Sequence, residues 1–268
     1  MAVRKTSNGF RRDYINYVTS KAKTLRNDYL LKTRENKVFF SLLSKYAKKT
    51  GKKSLRVLEI GFGTGRNLCF VSKNFPKAKI YGVDILKESV EAGKRIAKVL
   101  NCKNIKFLKG DAKQLPFTNG YFDLILSQGV VEHFKDVSGI MKEQVRVLNP
   151  DGYLVVNVPQ TFSYYTLKKH LAMARGRWAP GWETQYSVFD FLKWAKRYKI
   201  SLLEAKGESF DSKLLAFIKT YDFLAGFLLP KKADGKLRTI GRNFTAKFGH
   251  LFLIEITGVL TKRRNGST

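Results

Sequence analysis

From residue 56 onwards, short apolar runs alternate with longer stretches in which apolar residues recur at helical spacing. Strands that are separated by helical stretches form parallel sheets with right-handed crossovers. The sequence therefore predicts an α/β fold around a doubly wound sheet. The expected strands are residues 57–60, 80–83, 105–109, 124–127 and 153–158, and the helices between them are residues 67–74, 87–100 and 137–148.

Segments on both sides extend this core. Residues 10–50 have apolar positions at helical spacing, so we expect two helices before the first strand. Beyond residue 159 the pattern loosens into a stretch rich in aromatic and basic residues. The later expected elements are a helix at 188–198, a strand at 201–206 and a last strand at 251–260.

Length and composition favour one globular domain, because 268 residues with 44% hydrophobic composition can bury a sizeable core. The two cysteines, Cys69 and Cys102, lack the spacing of a zinc site or a disulfide framework. Residues 1–20 lack the apolar region of a secretory signal, and no apolar run reaches the roughly 18 residues of a membrane span. We therefore expect a cytoplasmic protein.

The net charge of +30 is unusual, and it is densest in residues 1–56, which hold 16 Lys and Arg against 3 Asp and Glu. Such a field attracts anionic lipids, nucleic acid or an acidic substrate. It is equally typical of a lysine-rich protein with solvated helix faces. Peripheral contact with an anionic membrane surface therefore stays open, and nucleic acid is a less favoured partner.

An apolar strand runs into a glycine-rich turn at Gly61, Gly63 and Gly65, directly before a predicted helix. Glycines at such a turn let the backbone approach a nucleotide closely. A dinucleotide-binding loop has the pattern G-x-G-x-x-G, but the sixth position here is Arg66. The spacing disfavours NAD and leaves another nucleoside ligand as the better interpretation.

Three further groups follow neighbouring strands where a nucleoside would need them. Asp84 ends the second strand, where its carboxylate can accept both ribose hydroxyls. Asp111 follows the third strand and can take an adenine amino group, while Ala112 or Leu115 packs on the ring. Ser127 and Gln128 end the fourth strand and would border the reactive end of the ligand.

Together these motifs resemble those of the class I S-adenosylmethionine-dependent methyltransferases. The similar segments are E-x-G-x-G-x-G at residues 59–65, the acidic end of the second strand, G-D-A-x-x-L-P-F at 110–117, F-D-L-I at 122–125 and an L-x-P-G-G-like segment at 148–152. The resemblance covers residues 55–160. It implies a Rossmann-like, doubly wound sheet of seven strands in three layers, mostly parallel with an antiparallel last strand.

The resemblance also implies the cofactor, S-adenosyl-L-methionine, and the residues that bind it. Glu59 ends a buried strand, where a lone charge is costly, and the family assigns such a carboxylate to the methionine amino end of the cofactor, through water. The expected cofactor-binding residues are Glu59, Gly61, Gly63, Gly65, Asp84, Ile85, Asp111, Ala112, Ser127 and Gln128.

Each of these residues also has a structural interpretation. Glycines at a strand-to-helix turn serve the turn itself, and an aspartate after a strand often caps a helix. Asp123, in the F-D-L-I segment, is interpreted as structural. The joint occurrence of the motifs in this order favours the cofactor site.

We expect a single methyltransferase domain over residues 1–268. Its parts are a basic helical segment at 1–54, the cofactor-binding core at 55–160, a substrate cap at 160–190 and an insertion at 211–245 before the last strand.

Substrate binding is expected near the end of the fourth and fifth strands, the edge where open sheets bind ligands. A sulfonium methyl group is already activated, so a base is optional. His133 is the best-placed candidate, with a structural or cofactor-side role as the alternative. The further candidates are His170, Tyr164, Tyr165 and Tyr186. Residues 160–186 suit a hydrophobic or planar acceptor with an acidic group, and they equally suit an amphipathic helix and loop packed on the sheet. The expected acceptor residues are Tyr164, Tyr165, His170, Arg177, Trp178, Trp182 and Tyr186.

Two departures from related families narrow the acceptor. Some quinone-pathway relatives hold a metal through a carboxylate where this chain has Gly129, so no metal is expected. Amino-methyltransferases of nucleic-acid bases carry Asn/Asp-Pro-Pro-Tyr/Phe after the fourth strand, and residues 127–130 lack it. We therefore expect a small-molecule or lipid-like acceptor, with an RNA methyltransferase and a non-catalytic binding module as alternatives.

Overall fold

The structure, a computed structural model, describes Ile15 and residues 37–176, 183–208 and 255–262. The insertion expected at 211–245 lies outside the described residues, as does the first helix expected within residues 10–50, apart from Ile15, which is helical. The described residues form one sheet with helices on both faces.

Strands and helices alternate through the described ranges, and every element expected between residues 57 and 206 is present. The strands are β1 (Arg56–Ile60), β2 (Lys79–Asp84), β3 (Ile105–Lys109), β4 (Phe122–Gln128), β5 (Leu148–Pro159), β6 (Ser201–Glu208) and β7 (Glu255–Thr261). The helices are α1 (Lys37–Lys49), α2 (Arg66–Asn74), α3 (Lys87–Val99), α4 (Ser138–Val147), α5 (Tyr164–Ala174) and α6 (Val188–Tyr198), with a short 3₁₀ helix at Val131–His133.

The sheet has seven strands in the order β3-β2-β1-β4-β5-β7-β6. The five strands from β3 to β5 pair in parallel, whereas β7 runs antiparallel to both β5 and β6. The predicted fold class, a mostly parallel seven-stranded sheet with an antiparallel last strand, is confirmed. Because the chain leaves β1 towards β2 but returns to place β4 on its other side, the strand order reverses between β1 and β4.

Alternate residues of each strand face opposite layers. Val57 of β1 belongs to the core that α1, α2 and α3 cover. Its neighbour Leu58 belongs to the core on the other face, beneath α4 and α6. Burial on both faces explains why the central strands are continuous apolar runs without polar alternation.

Two elements differ in detail from their sequence-based expectation. Residues 160–176 contain the helix α5, for which no separate element was expected within this stretch. The Ser163 hydroxyl caps α5 by accepting the Thr166 N–H at 3.2 Å. The last strand is described from residue 255 and ends at 261. Across the described ranges, no helix combines the length and the apolar composition needed to cross a bilayer.

Asp123 holds β4 to the start of β1, at the amino ends of these strands. It is buried, and its carboxylate accepts the Arg56 backbone N–H at 2.9 Å and the Lys52 ammonium at 2.5 Å. Burial by itself raises the pKa of Asp123, but the hydrogen bonds from Lys52 and Arg56 outweigh it and lower the pKa. The motif residue thus has a structural role.

We expect Asp123→Asn to lower the free energy of unfolding at pH 7 by about 2 kcal/mol, because a buried amide replaces a carboxylate that two cations stabilise. Urea unfolding measures the change. Since the folded-state pKa is lowered, the difference should be present above the ordinary aspartate pKa and shrink as the pH falls below about 4. Asp151→Asn, at an exposed aspartate, is the control and should unfold like wild type. An equal stability of Asp123→Asn and wild type at pH 7 would contradict the role of Asp123.

Candidate active site

A crevice opens beyond the carboxyl ends of β1 and β4, at the point where the strand order reverses. It contains a cavity of about 150 Å³. The residues that line the cavity are Ile15, Gly61, Gly63, Asp84, Leu86, Ser89 and Gly129. Three of them, Gly61, Gly63 and Asp84, belong to the expected cofactor-binding set.

The glycine turn between β1 and α2 has a backbone that other residues would adopt only with strain. Gly61, Gly63 and Gly65 have φ angles of 63°, 54° and 74°. A Cβ atom on Gly61 would lie 2.5 Å from a methyl carbon of Val130, so a side chain would also push away the loop after β4. The turn therefore presents bare backbone to the cavity, immediately before the N-terminus of α2.

Asp84 supports this turn from the end of β2. Its carboxylate is buried and accepts the backbone N–H of Gly63 and that of Leu86, each at 2.9 Å. A carboxylate offers about four acceptor positions, so these two bonds leave capacity for ligand hydroxyls. Asp84 can hold the turn and bind a ligand in the cavity at once.

Glu59 is 2% exposed, and its carboxyl group belongs to a buried hydrogen-bond network rather than to an ion pair. The Asn67 side-chain amide donates to the Glu59 carboxylate at 2.7 Å and to the Gln128 side-chain oxygen at 2.9 Å. Burial raises the pKa of Glu59 to about 8, the hydrogen bond from Asn67 opposes this rise, and the Asp84 charge adds to it. The carboxyl is therefore mostly protonated at pH 7 and would ionise beside a cation.

The structure also places the expected adenine-side residues next to Asp84. The Gly110 N–H donates to the Asp84 carbonyl oxygen at 2.9 Å, which brings the turn that carries Asp111 and Ala112 beside the end of β2. Ile85 is 56% exposed, although it is a large apolar residue in the middle of this edge. An apolar side chain left uncovered beside the cavity suits the flat face of a planar ligand.

Ser127 and Gln128, at the end of β4, differ in accessibility. Gln128 is half-buried and joins the Glu59 network through Asn67. Ser127 is fully buried within the sheet, opposite Ile60 of β1. A defined hydrogen bond therefore connects Gln128 to the Glu59 network, whereas the Ser127 side chain is enclosed within the sheet.

His133 lies at the end of the 3₁₀ helix that follows β4. Its Nε2 atom is 3.9 Å from a carboxylate oxygen of Glu132, whose side chain is buried. That same oxygen would lie 3.6 Å from a Cβ on Gly129, which lines the cavity. Glu132 and His133 therefore lie just behind the cavity wall.

Behind this wall lies a buried group that we call the cap cluster, formed by Tyr165, Lys169 and Glu183. The Lys169 side chain is 1% exposed; its ammonium donates to the Glu183 carbonyl oxygen and lies 3.6 Å from the Glu183 carboxylate. The Tyr165 hydroxyl donates to the same carboxylate at 3.5 Å. Burial lowers the pKa of Lys169 and raises that of Glu183, while their mutual attraction opposes both shifts. The cluster joins α5 to the segment that follows residue 182.

That segment is in turn bound to the edge of the sheet. The Thr184 N–H donates to the Glu132 carbonyl oxygen at 2.8 Å, and the Tyr186 N–H donates to that of Pro159 at 2.9 Å. Tyr186 is buried against Trp194, with ring centroids 5.0 Å apart, and burial raises its pKa to about 12. The cap cluster and the Glu132–His133 turn are thereby held together.

The other expected acceptor residues are placed differently. His170 is exposed, and Tyr164 is the first residue of α5. Arg177, Trp178 and Trp182 lie outside the described residues. In the described part of the chain, no group of three or more His, Cys, Asp or Glu side chains could hold a metal ion.

Sequence reasoning missed Asn67 and Glu183, and it counted Lys169 only among the basic residues of the cap, without its pairing with Glu183. Asn67 had a weak signal, since it is a polar residue in the first turn of an amphipathic helix directly after the glycine turn. The pairing of Lys169 with Glu183 had none, because lysine and glutamate normally lie at the surface and the pair joins residues 14 positions apart.

A family model described as a methyltransferase domain matches residues 58–156. That range holds β1 to most of β5, and with them the glycine turn, Glu59, Asp84, Asp111 and the Glu132–His133 turn.

Curated relatives are similar over a part of the chain of comparable length. An uncharacterized methyltransferase of Bacillus subtilis is 37% identical over 103 residues, which is 38% of this chain and 40% of the relative. The demethylmenaquinone methyltransferase of Lactococcus lactis is 34% identical over 102 residues, again 38% of this chain and 40% of the relative. The chain thus spans about two fifths of the length of these relatives.

The crystal structure of a SAM-dependent methyltransferase from Aquifex aeolicus has the same fold, with a TM-score of 0.52 and 19% identity over 71% of this chain and 92% of the other. The order of the motifs along the chain, their positions along one sheet edge and the matching family model all point to a methyltransferase domain. Residues 58–156 therefore match a methyltransferase domain, and the sheet has the fold of a SAM-dependent methyltransferase.

Proposed function

We propose that this chain transfers the methyl group of S-adenosylmethionine to a small-molecule or lipid-like acceptor. The observation that carries the proposal is the pair of buried carboxylates, Glu59 and Asp84, on either side of the bare glycine turn. A cofactor with hydroxyl groups at one end and an ammonium group at the other matches this pair. We further propose one domain over residues 1–268, with 1–54 as the basic segment, 160–190 as the cap and 211–245 as an insertion.

Five of the expected cofactor-binding residues have a chemical task in this proposal. Asp84 accepts the ribose hydroxyls with the acceptor positions that Gly63 and Leu86 leave available. Asp111 and Ala112 bind the adenine, and Ile85 covers one face of it. Glu59, oriented by Asn67, pairs with the cationic amino group of the methionine part.

The cofactor supplies an activated methyl group, so the protein mainly positions the acceptor and excludes water. The attacking atom of the acceptor forms a bond to the methyl carbon while the carbon–sulfur bond breaks, and any acceptor proton leaves to a base. His133 is the proposed base, since it lies beside Glu132 at the cavity wall. Tyr165 and Tyr186, held by the cap cluster and the sheet edge, form the proposed acceptor side together with Tyr164, His170, Arg177, Trp178 and Trp182.

The acceptor class rests on two supports. One relative is named for demethylmenaquinone, an acceptor other than a nucleic acid. The loop after β4 reads Ser127-Gln128-Gly129-Val130, which lacks the motif of base-methylating enzymes. A net charge of +30 keeps RNA as the second candidate and keeps anionic membrane surfaces as a proposed peripheral partner.

We expect calorimetry to give a micromolar dissociation constant for S-adenosylhomocysteine, the demethylated product. Asp84→Ala should weaken binding at least about tenfold, since it removes the carboxylate that accepts the ribose hydroxyls. It also leaves the Gly63 and Leu86 N–H groups without this acceptor. Glu91→Gln, at an exposed carboxylate on α3, is the matched control and should bind like wild type. A folded wild type that gives no binding would refute the proposed function.

The Glu59 network makes a separate prediction about pH. Because the pKa of Glu59 is about 8 without ligand, binding of a cationic amino group below pH 8 should release a proton from it. Affinity should therefore rise by up to about tenfold per pH unit from pH 6 and level off above pH 8, where Glu59 is already ionised in the free protein. Calorimetry in buffers of different ionisation enthalpy measures the released proton.

Glu59→Gln is the control for this pH dependence and should abolish both the proton release and the rise in affinity. The raised pKa also means that Glu59 stabilises the folded state less as the pH rises from 4.5 to about 8. Glu59→Gln should consequently be at least as stable as wild type at pH 8. A wild type whose affinity is flat between pH 6 and 8 would contradict the role of Glu59.

We expect a cofactor-saturated screen with a radiolabelled methyl group to show transfer to quinone, phenol or lipid pools rather than to total RNA. On the acceptor so found, Tyr165→Ala should lower kcat/KM at least about tenfold, with cofactor affinity within about threefold, because Tyr165 lies on the acceptor side. Leu192→Ala, at an exposed residue of α6 outside the cap, should leave both unchanged. Transfer to RNA alone would favour the second candidate.

A further inference from the structure

Ile15 lies in the wall of the cofactor cavity, although it precedes β1 by about forty residues in the chain. It is 4% exposed. It lines the cavity together with Gly61 and Gly63 of the glycine turn and with Asp84. A residue from the basic N-terminal segment thus reaches the groups that we propose to bind the nucleoside.

The burial of Ile15 does not come from the main cores of the domain. Ile15 forms a small apolar cluster with Leu86 and Ala92, separate from the two cores that cover the faces of the sheet. Leu86 directly precedes α3, and its N–H donates to the Asp84 carboxylate at 2.9 Å. The cluster therefore lies beside the ribose carboxylate and gives the cavity an apolar side.

We propose that Ile15 is a cofactor-binding residue that packs against the ribose end of S-adenosylmethionine. The proposal rests on the proposed function, because it presumes that the cavity holds this cofactor. Ile15 and Leu86 are 4% and 7% exposed, so their contribution comes from van der Waals contact with the ligand and not from newly buried surface. The aliphatic wall also keeps water from the Asp84 carboxylate, which strengthens the hydrogen bonds that Asp84 makes to the ribose.

Cofactor binding and the position of Ile15 are thermodynamically coupled in this proposal. If the cofactor gains affinity from Ile15 in this place, the bound cofactor must stabilise Ile15 there by the same free energy. The bonds that follow Arg11, Arg12 and Lys21 flank Ile15 and are substrates of trypsin. Their rate of cleavage reports on Ile15 without any measurement of methyl transfer.

The test measures S-adenosylhomocysteine binding to the full chain by calorimetry. Ile15→Ala should bind about tenfold more weakly than wild type, while Ile15→Leu, which keeps the volume, should stay within about threefold. Leu192→Ala, at an exposed leucine of α6, is the matched control and should bind like wild type. Saturating ligand should slow tryptic cleavage at the flanking bonds in wild type and have less effect in Ile15→Ala.

Thermal unfolding without ligand shows whether Ile15→Ala is folded. If it is not, Ile15→Val replaces it, with an expected loss of about threefold. Wild-type affinity in the folded variant, together with weakened binding by Asp84→Ala, would overturn the role of Ile15 and leave the proposed function intact. Failure of wild type itself to bind would overturn both.

Discussion

The pairing of β1 with β4 is the constraint on which the site depends. Ile60 and Ser127 are paired at the carboxyl ends of these two parallel strands, yet the chain leaves them towards opposite sides of the sheet. The loops that follow therefore diverge and open a crevice. They still touch at one point, where Gly61 lacks the Cβ that would collide with Val130. The same pairing places Glu59 and Gln128 close enough to share the Asn67 amide.

Buried carboxylates at the two ends of the sheet are compensated in opposite ways. At the amino end, Asp123 has a lysine and an arginine as partners, so its pKa is lowered and it stabilises the fold. At the carboxyl end, Glu59 has an amide as its hydrogen-bond donor, so burial prevails and its pKa rises to about 8. A carboxylate that the fold compensates incompletely is suited to pair with a ligand cation. This contrast supports a structural role for Asp123 and a binding role for Glu59.

The acceptor side is built on a different principle from the cofactor side. The cofactor groups lie on strand ends and on one tight turn, which the sheet holds rigidly. The proposed acceptor groups lie on α5 and on the segment after residue 182, joined by the buried Lys169–Glu183 pair. Removing one member of a buried ion pair leaves an uncompensated charge, so this pair fixes the two segments relative to each other. Substrate preference can then vary with the cap while the cofactor edge stays the same.

Much of the cofactor side could be predicted from the sequence because its geometry is local. Gly61, Gly63 and Gly65 mark a turn that few other residues tolerate, and Asp84 and Asp111 follow strands whose apolar runs are plain in the sequence. Parallel strands align their carboxyl ends, so the order of the motifs along the chain already implies that they meet at one edge. The helix α5 was less certain, because aromatic and basic residues suit a loop as well as a helix, and the Ser163 cap is its main local signal.

The sequence by itself determined the fold class, the sheet edge that carries the site and the residues whose roles follow from a turn or a strand end. The tertiary structure alone decided which distant side chains complete that edge. Asn67 joins Glu59, Lys169 pairs with Glu183, and Ile15 reaches the cavity. Each contact depends on how helices pack across the sheet, and the sequence pattern sets the period of a helix but not which residue of another segment its side chains will meet.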